Sequence, residues 1–226
     1  MGWTAWADHI AYRADSPLAG FHHRLLLREP PGDLQPWLDR WRALNAHNDI
    51  QRAFVVWEGD RPEPVDLPPG ARLHTQWCLE LEGRPASAPD PRIRRLHAPD
   101  RFALAPLYAD SEAPDDLAWA HWALEGVLER DDAAYHGLFE GGRLVAAAGV
   151  CWDDRDARFH MVATAPEHRR RGFATRLVLA AVNGLPDGRR VWIAAEADGA
   201  AEVLYCRLGF RRRTAVTVVA VPRGTR

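Results

Sequence analysis

Residues 162 to 177 read Val-Ala-Thr-Ala-Pro-Glu-His-Arg-Arg-Arg-Gly-Phe-Ala-Thr-Arg-Leu. The residues up to Thr164 suit a strand, Pro166 stops it, and the apolar spacing after Gly172 suits a helix. A strand therefore passes through a tight loop of arginines and glycine straight into a helix. The first turn of such a helix exposes unpaired N–H groups and a partial positive charge, a setting that suits phosphate. Gly172 permits unusual φ and close backbone approach, and Ala174 keeps the next turn small. Arg169, Arg170 and Arg171 crowd the same point, although exposed cations there are disfavoured by roughly 0.3–1 kcal/mol each. A bound polyanion offsets that cost, because each guanidinium pairs with phosphate oxygens. The alternatives are a solvated arginine turn or a nucleic-acid patch. A P-loop is excluded, since no Gly-Lys-Ser/Thr occurs.

The 226 residues carry 29 basic and 31 acidic side chains, a formal net charge of −2, which speaks against a protein that lives on nucleic acid or an anionic membrane. Every basic residue is arginine, so lysine Schiff-base chemistry is excluded. Cys78, Cys151 and Cys206 are odd in number and far apart, as in a reducing compartment. No apolar run approaches the ~18 residues of a membrane span. The opening residues lack the basic stretch of a signal peptide. The expected location is the cytoplasm.

Three prolines between Pro85 and Pro91 mark a seam. The expected domains are 1–91, a smaller N-terminal α/β domain, and 92–226. The first carries 9 arginines against 13 acids and the second 20 against 18, so an anion site belongs to the second. There the pattern predicts strands at 92–96, 134–139, 144–152, 157–164, 190–196 and 214–221, with helices at 99–109, 114–130, 172–184 and 199–208. This order describes an α/β (α+β) fold: a mixed, mostly antiparallel sheet with helices on its faces. The first part predicts strands at 21–27, 53–57 and 72–81 and a helix at 34–46. Trp37 and Trp41, one helical turn apart, read as core aromatics, with a stacking platform for a base or sugar as the alternative.

A second segment follows the strand ending at Glu196: Asp198-Gly-Ala-Ala201-Glu-Val-Leu204-Tyr205-Cys-Arg-Leu-Gly209-Phe210. By itself Tyr205 reads as a core tyrosine with a satisfied hydroxyl. Together, V-x-T-x-P with R-x-x-G-x-A, then A-x-x-LY-x-x-x-GF, resemble the GNAT acyl-CoA N-acyltransferase superfamily over about residues 92–226. The resemblance implies a cradle for acetyl-CoA as cosubstrate. The pantetheine arm would lie along Val162, Ala163 and Thr164, in a gap where this strand splays from the one ending at Glu196. The amides of Arg170, Arg171, Gly172, Phe173, Ala174 and Thr175 would hold the pyrophosphate, with Arg169 at the family's Gln/Arg position. Asp198 stands where the family often has Asn, and also suits a helix N-cap. Tyr205 matches the tyrosine assigned as general acid to the departing thiolate.

The implied chemistry is direct attack of an amine on a thioester in a ternary complex. The amine must be neutral, and an alkyl amine has a pKa near ~10, so a base is needed. His160 and Glu196 are the candidates. Each has a structural alternative: a histidine lining the sheet or facing solvent, and a structural carboxylate. The carbonyl oxygen needs an N–H donor near Val162. Ser16, Ser87 and Ser111 lie outside any nucleophile motif, and no metal-ligand spacing occurs. The expected partner is a primary amine of a small molecule or peptide, without nucleic acid or membrane, acting as monomer or homodimer. A non-catalytic acyl-CoA sensor is the second reading. Trp119, Trp122, Asp115, Asp116 and Glu125 are candidates for an acceptor pocket. Residues 1–91 could be a decayed half of the same fold.

Overall fold

The computed structural model describes residues 2–13, 23–47, 50, 52–59, 65–112 and 117–223, with the side chains of 109–112, 119 and 122 left out. Asp115 and Asp116, and the side chains of Trp119 and Trp122, therefore lie outside what is described. Two compact units emerge: residues 1–78 with 195–202 and 212–226, and residues 79–194 with 203–211.

In the first unit three strands, β1 (Gly2–Ala5), β2 (His9–Arg13) and β3 (Arg24–Leu27), form an antiparallel meander. Helix α1 (Gln35–Leu44) then crosses to β4 (Arg52–Gly59), which is parallel to β3. Strand β5 (Arg72–Leu81) begins in this unit, and the strand order is β1-β2-β3-β4-β11-β5. Here β11 (Phe210–Pro222) is antiparallel to β4, from Ala215↔Gly59 to Pro222↔Arg52. Trp41 is fully buried among Leu25, Leu38, Val55, Trp57 and Val219, and its indole N–H donates to the His23 carbonyl at 2.5 Å. Trp41 is thus a core residue, and the stacking-platform alternative falls for it. β1 and β2 are absent from the sequence expectation.

The second unit holds β6 (Ile93–Arg95), α2 (Arg101–Glu112), α3 (Leu117–Leu124), β7 (Ala133–Glu140), β8 (Arg143–Trp152), β9 (Asp156–Thr164), α4 (Phe173–Asn183), and the larger parts of β10 (Arg190–Glu196) and α5 (Ala200–Arg207), whose last two and first three residues respectively belong to the first unit. The strand order is β10-β9-β8-β7-β6, antiparallel except where β10 runs parallel to β9. Leu104, Tyr108, Ala120 and Leu124 from α2 and α3 pack on Tyr135, Ala147, Met161 and Ala163. Residue 136, the strand neighbour of Tyr135, points to the other face and meets the end of α4 at Gly184. Helices therefore cover both faces. The helix expected over 114–130 stops at Leu124, where the chain turns to Gly126 at φ 75°.

The expected seam is a strap inside the second unit. Arg84 donates to the Leu185 and Pro186 carbonyls, Ser87 accepts from Asn183 (2.7 Å), and Asp90 accepts from Arg176 (3.0 Å). Prolines keep this segment extended, and side chains tie it along α4. Hydrogen bonds from the Arg92 side chain, its backbone N–H and Arg176 hold the Asp90 carboxyl well below the usual carboxylate range. A depressed folded-state pKa stabilises above the ordinary value of ~3.9 and loses that contribution as pH falls. Asp90→Asn is therefore expected to lower Tm by ~3 °C at pH 7, with the gap to wild type narrowing below pH ~4. Thermal melts from pH 7 to pH 3 check this.

Candidate functional site

β9 and β10 pair only at Arg190↔Asp156, Val191↔Ala157 and Trp192↔Arg158. β9 continues to Thr164, held on its other edge by β8 as far as Ala146↔Thr164. From Phe159 onward the β10-facing edge of β9 has no strand partner among the described residues. Val162, Ala163 and Thr164 lie along that open edge. Backbone groups left in this way are a template for an added extended chain. The cause is visible in the register. Gly149 faces Met161 and Val150 faces Phe159, so His160 is an extra residue, a β-bulge that bends the strand.

Beyond Thr164 a short 3₁₀ turn (Pro166–His168) leads to α4. Arg170 has φ 63° and Gly172 φ 77°, and such left-handed positions let successive N–H groups converge on one point. The first helical bond runs from the Arg176 N–H to the Gly172 carbonyl (3.2 Å). The amides of Phe173, Ala174 and Thr175 consequently have no helical acceptor. Phe173 is buried beneath the turn against the His168 ring.

The three arginines divide their roles. Arg169 folds back, and its Nε donates to the Thr164 carbonyl at 3.0 Å. Arg171 forms a fork on Glu140 (2.7 and 2.8 Å) and lies over the Phe173 ring. The expectation that all three guanidiniums ring an anion is corrected for Arg171: its charge is spent on the end of β7. Among the described residues the Arg170 guanidinium has no ion-pair partner. The Arg211–Arg213 run is no basic patch either. It lies inside β11, where Arg211 meets Glu82 (3.3 Å) and Arg212 meets the buried Glu202.

The other expected residues are placed as follows. Tyr205 on α5 is buried, its ring 6.0 Å from that of Phe210. The Asp198 N–H donates to Glu202 (2.7 Å), which fixes a left-handed turn at φ 61°. Glu196 lines a cavity of about 560 Å³ in the first unit with Arg72, Leu73, His74 and Gln76. Burial pushes the His74 pKa down, and Glu196 partly opposes this. His160 is exposed, yet both ring nitrogens are engaged: Nε2 with the Tyr108 hydroxyl (2.9 Å) and Nδ1 with the Tyr135 hydroxyl (2.5 Å). Sequence reasoning missed both tyrosines. Their hydrophobic spacing marks only core positions.

A strand with an open edge, leading into an anion cradle at a helix N-terminus, meets a family signature. The model of the acetyltransferase (GNAT) family matches residues 91–210. The chain belongs to this family. A GCN5-related N-acetyltransferase from Kribbella flavida has a similar structure, with 18% identity, TM-score 0.67, and 100% of this chain and 92% of that one covered. A GNAT-family acetyltransferase structure from Novosphingobium aromaticivorans, described as putative, gives 28% identity and TM-score 0.56 over 76% and 74%. A tandem GNAT protein from the clavulanic acid biosynthesis pathway gives 15% and 0.61 over 96% and 79%. No curated protein matches the chain. As a GNAT protein the chain has the fold of acyl transfer from acyl-CoA, a mixed and largely antiparallel α/β sheet. Among the described residues no helix is long and apolar enough to cross a membrane, and no cluster of metal-ligating side chains occurs.

Proposed function

We propose that this GNAT protein transfers an acetyl group from acetyl-CoA to a primary amine of a small molecule or peptide, by direct attack in a ternary complex. The observation that carries the reading is the early end of β9–β10 pairing at Trp192↔Arg158, directly upstream of the amide cradle at α4. Pantetheine would add as a short strand along Val162–Thr164. The pyrophosphate would sit on the amides of Arg170 to Thr175, with Arg170 as its guanidinium partner. An N–H near Val162 would receive the carbonyl oxygen, and Tyr205 would protonate the departing thiolate. The reaction takes place in the cytoplasm, a reading supported by Cys78, Cys151 and Cys206 forming no disulfide.

The first unit fits a decayed half of the same fold. Its meander β1-β2-β3, crossover α1 and parallel β4 repeat the order β7-β8-β9, α4 and β10. At its helix start the Asp33 carboxylate accepts the Gln35 N–H at 2.9 Å, so a negative charge occupies the place of an anion. One acetyl-CoA per chain is therefore expected, and calorimetric titration measures it.

The functional test is a melt with acetyl-CoA followed by a panel of primary amines read by thiol release. A raised Tm with thiol release for at least one amine is expected. A raised Tm without release across the panel favours the non-catalytic acyl-CoA module, and no shift contradicts the cradle.

A further inference from the structure

On the α4 face of the second unit a cleft of about 930 Å³ opens between the 87–91 strap, β6, His136 of β7 and the outer flank of α4. Pro89, Pro91, Ile93, Leu179 and Ala180 give it an apolar lining. A cleft of this volume suits a small organic molecule. The strand order β10-β9-β8-β7-β6 separates it from the cofactor cradle: β6 and β7 stand at one end, whereas the open edge of β9 faces β10 at the other.

Two polar groups in its wall are left over. Arg95 and His136 are directly opposed across β6 and β7, so their side chains share one face of the sheet. The Arg95 guanidinium donates to the Ala133 carbonyl at 3.0 Å and has no carboxylate partner among the described residues. The neighbouring arginines differ: Arg92 and Arg176 share Asp90, and Arg94 holds Asp100. The His136 Nδ1 is buried without a hydrogen-bond partner among the described residues, and Nε2 lies 3.7 Å from where a Cβ on Gly184 would stand. An unpaired buried ring nitrogen is costly, and core packing gains nothing from it. Burial and the Arg95 charge push the His136 pKa down, so at pH 7 the ring is neutral and carries one N–H. We propose that this cleft binds a small organic carboxylate, its head held by Arg95 and His136 and its apolar body lying along Leu179 and Ala180 of α4. One unshared guanidinium matches one negative charge, and its planar fork fits a carboxylate, which favours this head over a phosphate dianion. The proposal gives the chain a second ligand and does not depend on the acyl-transfer reading.

The test follows the histidine Cε1–H resonances of the full chain by NMR, with that of His136 identified by its loss in His136→Gln. Hexanoate and 4-phenylbutyrate are the probes, 4-phenylbutanamide is the uncharged control, and inorganic phosphate is the bare anion. Both carboxylates shift the His136 resonance with a Kd of ~1 mM, and the amide and phosphate bind at least ~10-fold more weakly. Arg95→Gln weakens both carboxylates ~10-fold. Ala180→Phe narrows the cleft from α4 and weakens 4-phenylbutyrate by at least as much. Thermal melts show which variants are folded, and Arg95→Gln, at an exposed position, decides the matter if Ala180→Phe is not. Saturating CoA leaves the carboxylate Kd unchanged. Carboxylates that leave the His136 resonance unmoved at ~10 mM overturn the proposal. So does an amide or phosphate that binds equally well, or an Arg95→Gln variant that binds like wild type. Displacement of the carboxylates by CoA overturns it too, by assigning the cleft to the cofactor.

Discussion

Replacing Tyr205 by phenylalanine lowers kcat for acetyl transfer about 100-fold and leaves acetyl-CoA binding nearly unchanged. The ring is buried on α5 beside Phe210, so the phenyl group keeps its packing and only the hydroxyl is lost. A thiolate leaving without a proton donor raises the barrier of the second half of the reaction. In the proposed reading binding is set elsewhere, at the α4 amides and the β9 edge. Steady-state thiol release and a melt with acetyl-CoA separate these two effects. An unchanged kcat assigns Tyr205 to packing alone.

Gly172→Asp has the largest expected effect on binding, a loss of about 100-fold in affinity for CoA, from a carboxylate placed where the pyrophosphate would bind. Folding stability is expected to fall by only about 1 kcal/mol. The left-handed φ of 77° strains any side chain, aspartate less than most, and a Cβ there meets nothing within 4 Å. The carboxylate also complements the helix dipole. The combination is diagnostic, because a residue that serves only the fold gives the opposite pattern. Calorimetric titration with CoA beside a thermal melt measures both quantities.

The GNAT core was legible in the sequence because its signals are local. Gly172 and the apolar spacing after it define α4, and Glu140-Gly-Gly-Arg143 defines the β7–β8 hairpin. What escaped depends on distant partners. The strand expected at 214–221 begins four residues earlier, at Phe210, where Glu82 and Glu202 neutralise two of the arginines at 211–213. β1 and β2 bury only His9 and Ala11 through their side chains, too little for an alternating pattern to show. Arg171 was read as a phosphate ligand because Glu140, 31 residues earlier, gave no sign of facing it. The prolines at 85–91 marked extended chain correctly. Whether such chain links or straps depends on Arg84, Ser87 and Asp90 finding α4, a matter of tertiary contact. Likewise His160 was legible as a candidate base, while the two phenols that close off its nitrogens come from residues 52 and 25 positions away.

The central claim is that the N-terminal turn of α4 and the open edge of β9 together hold coenzyme A. A crystal structure of the acetyl-CoA complex tests it most directly. Pyrophosphate oxygens within hydrogen-bond distance of the Phe173, Ala174 and Thr175 amides, with pantetheine paired to Val162–Thr164, are the expected result. A cofactor bound elsewhere, with those amides still facing water, contradicts it.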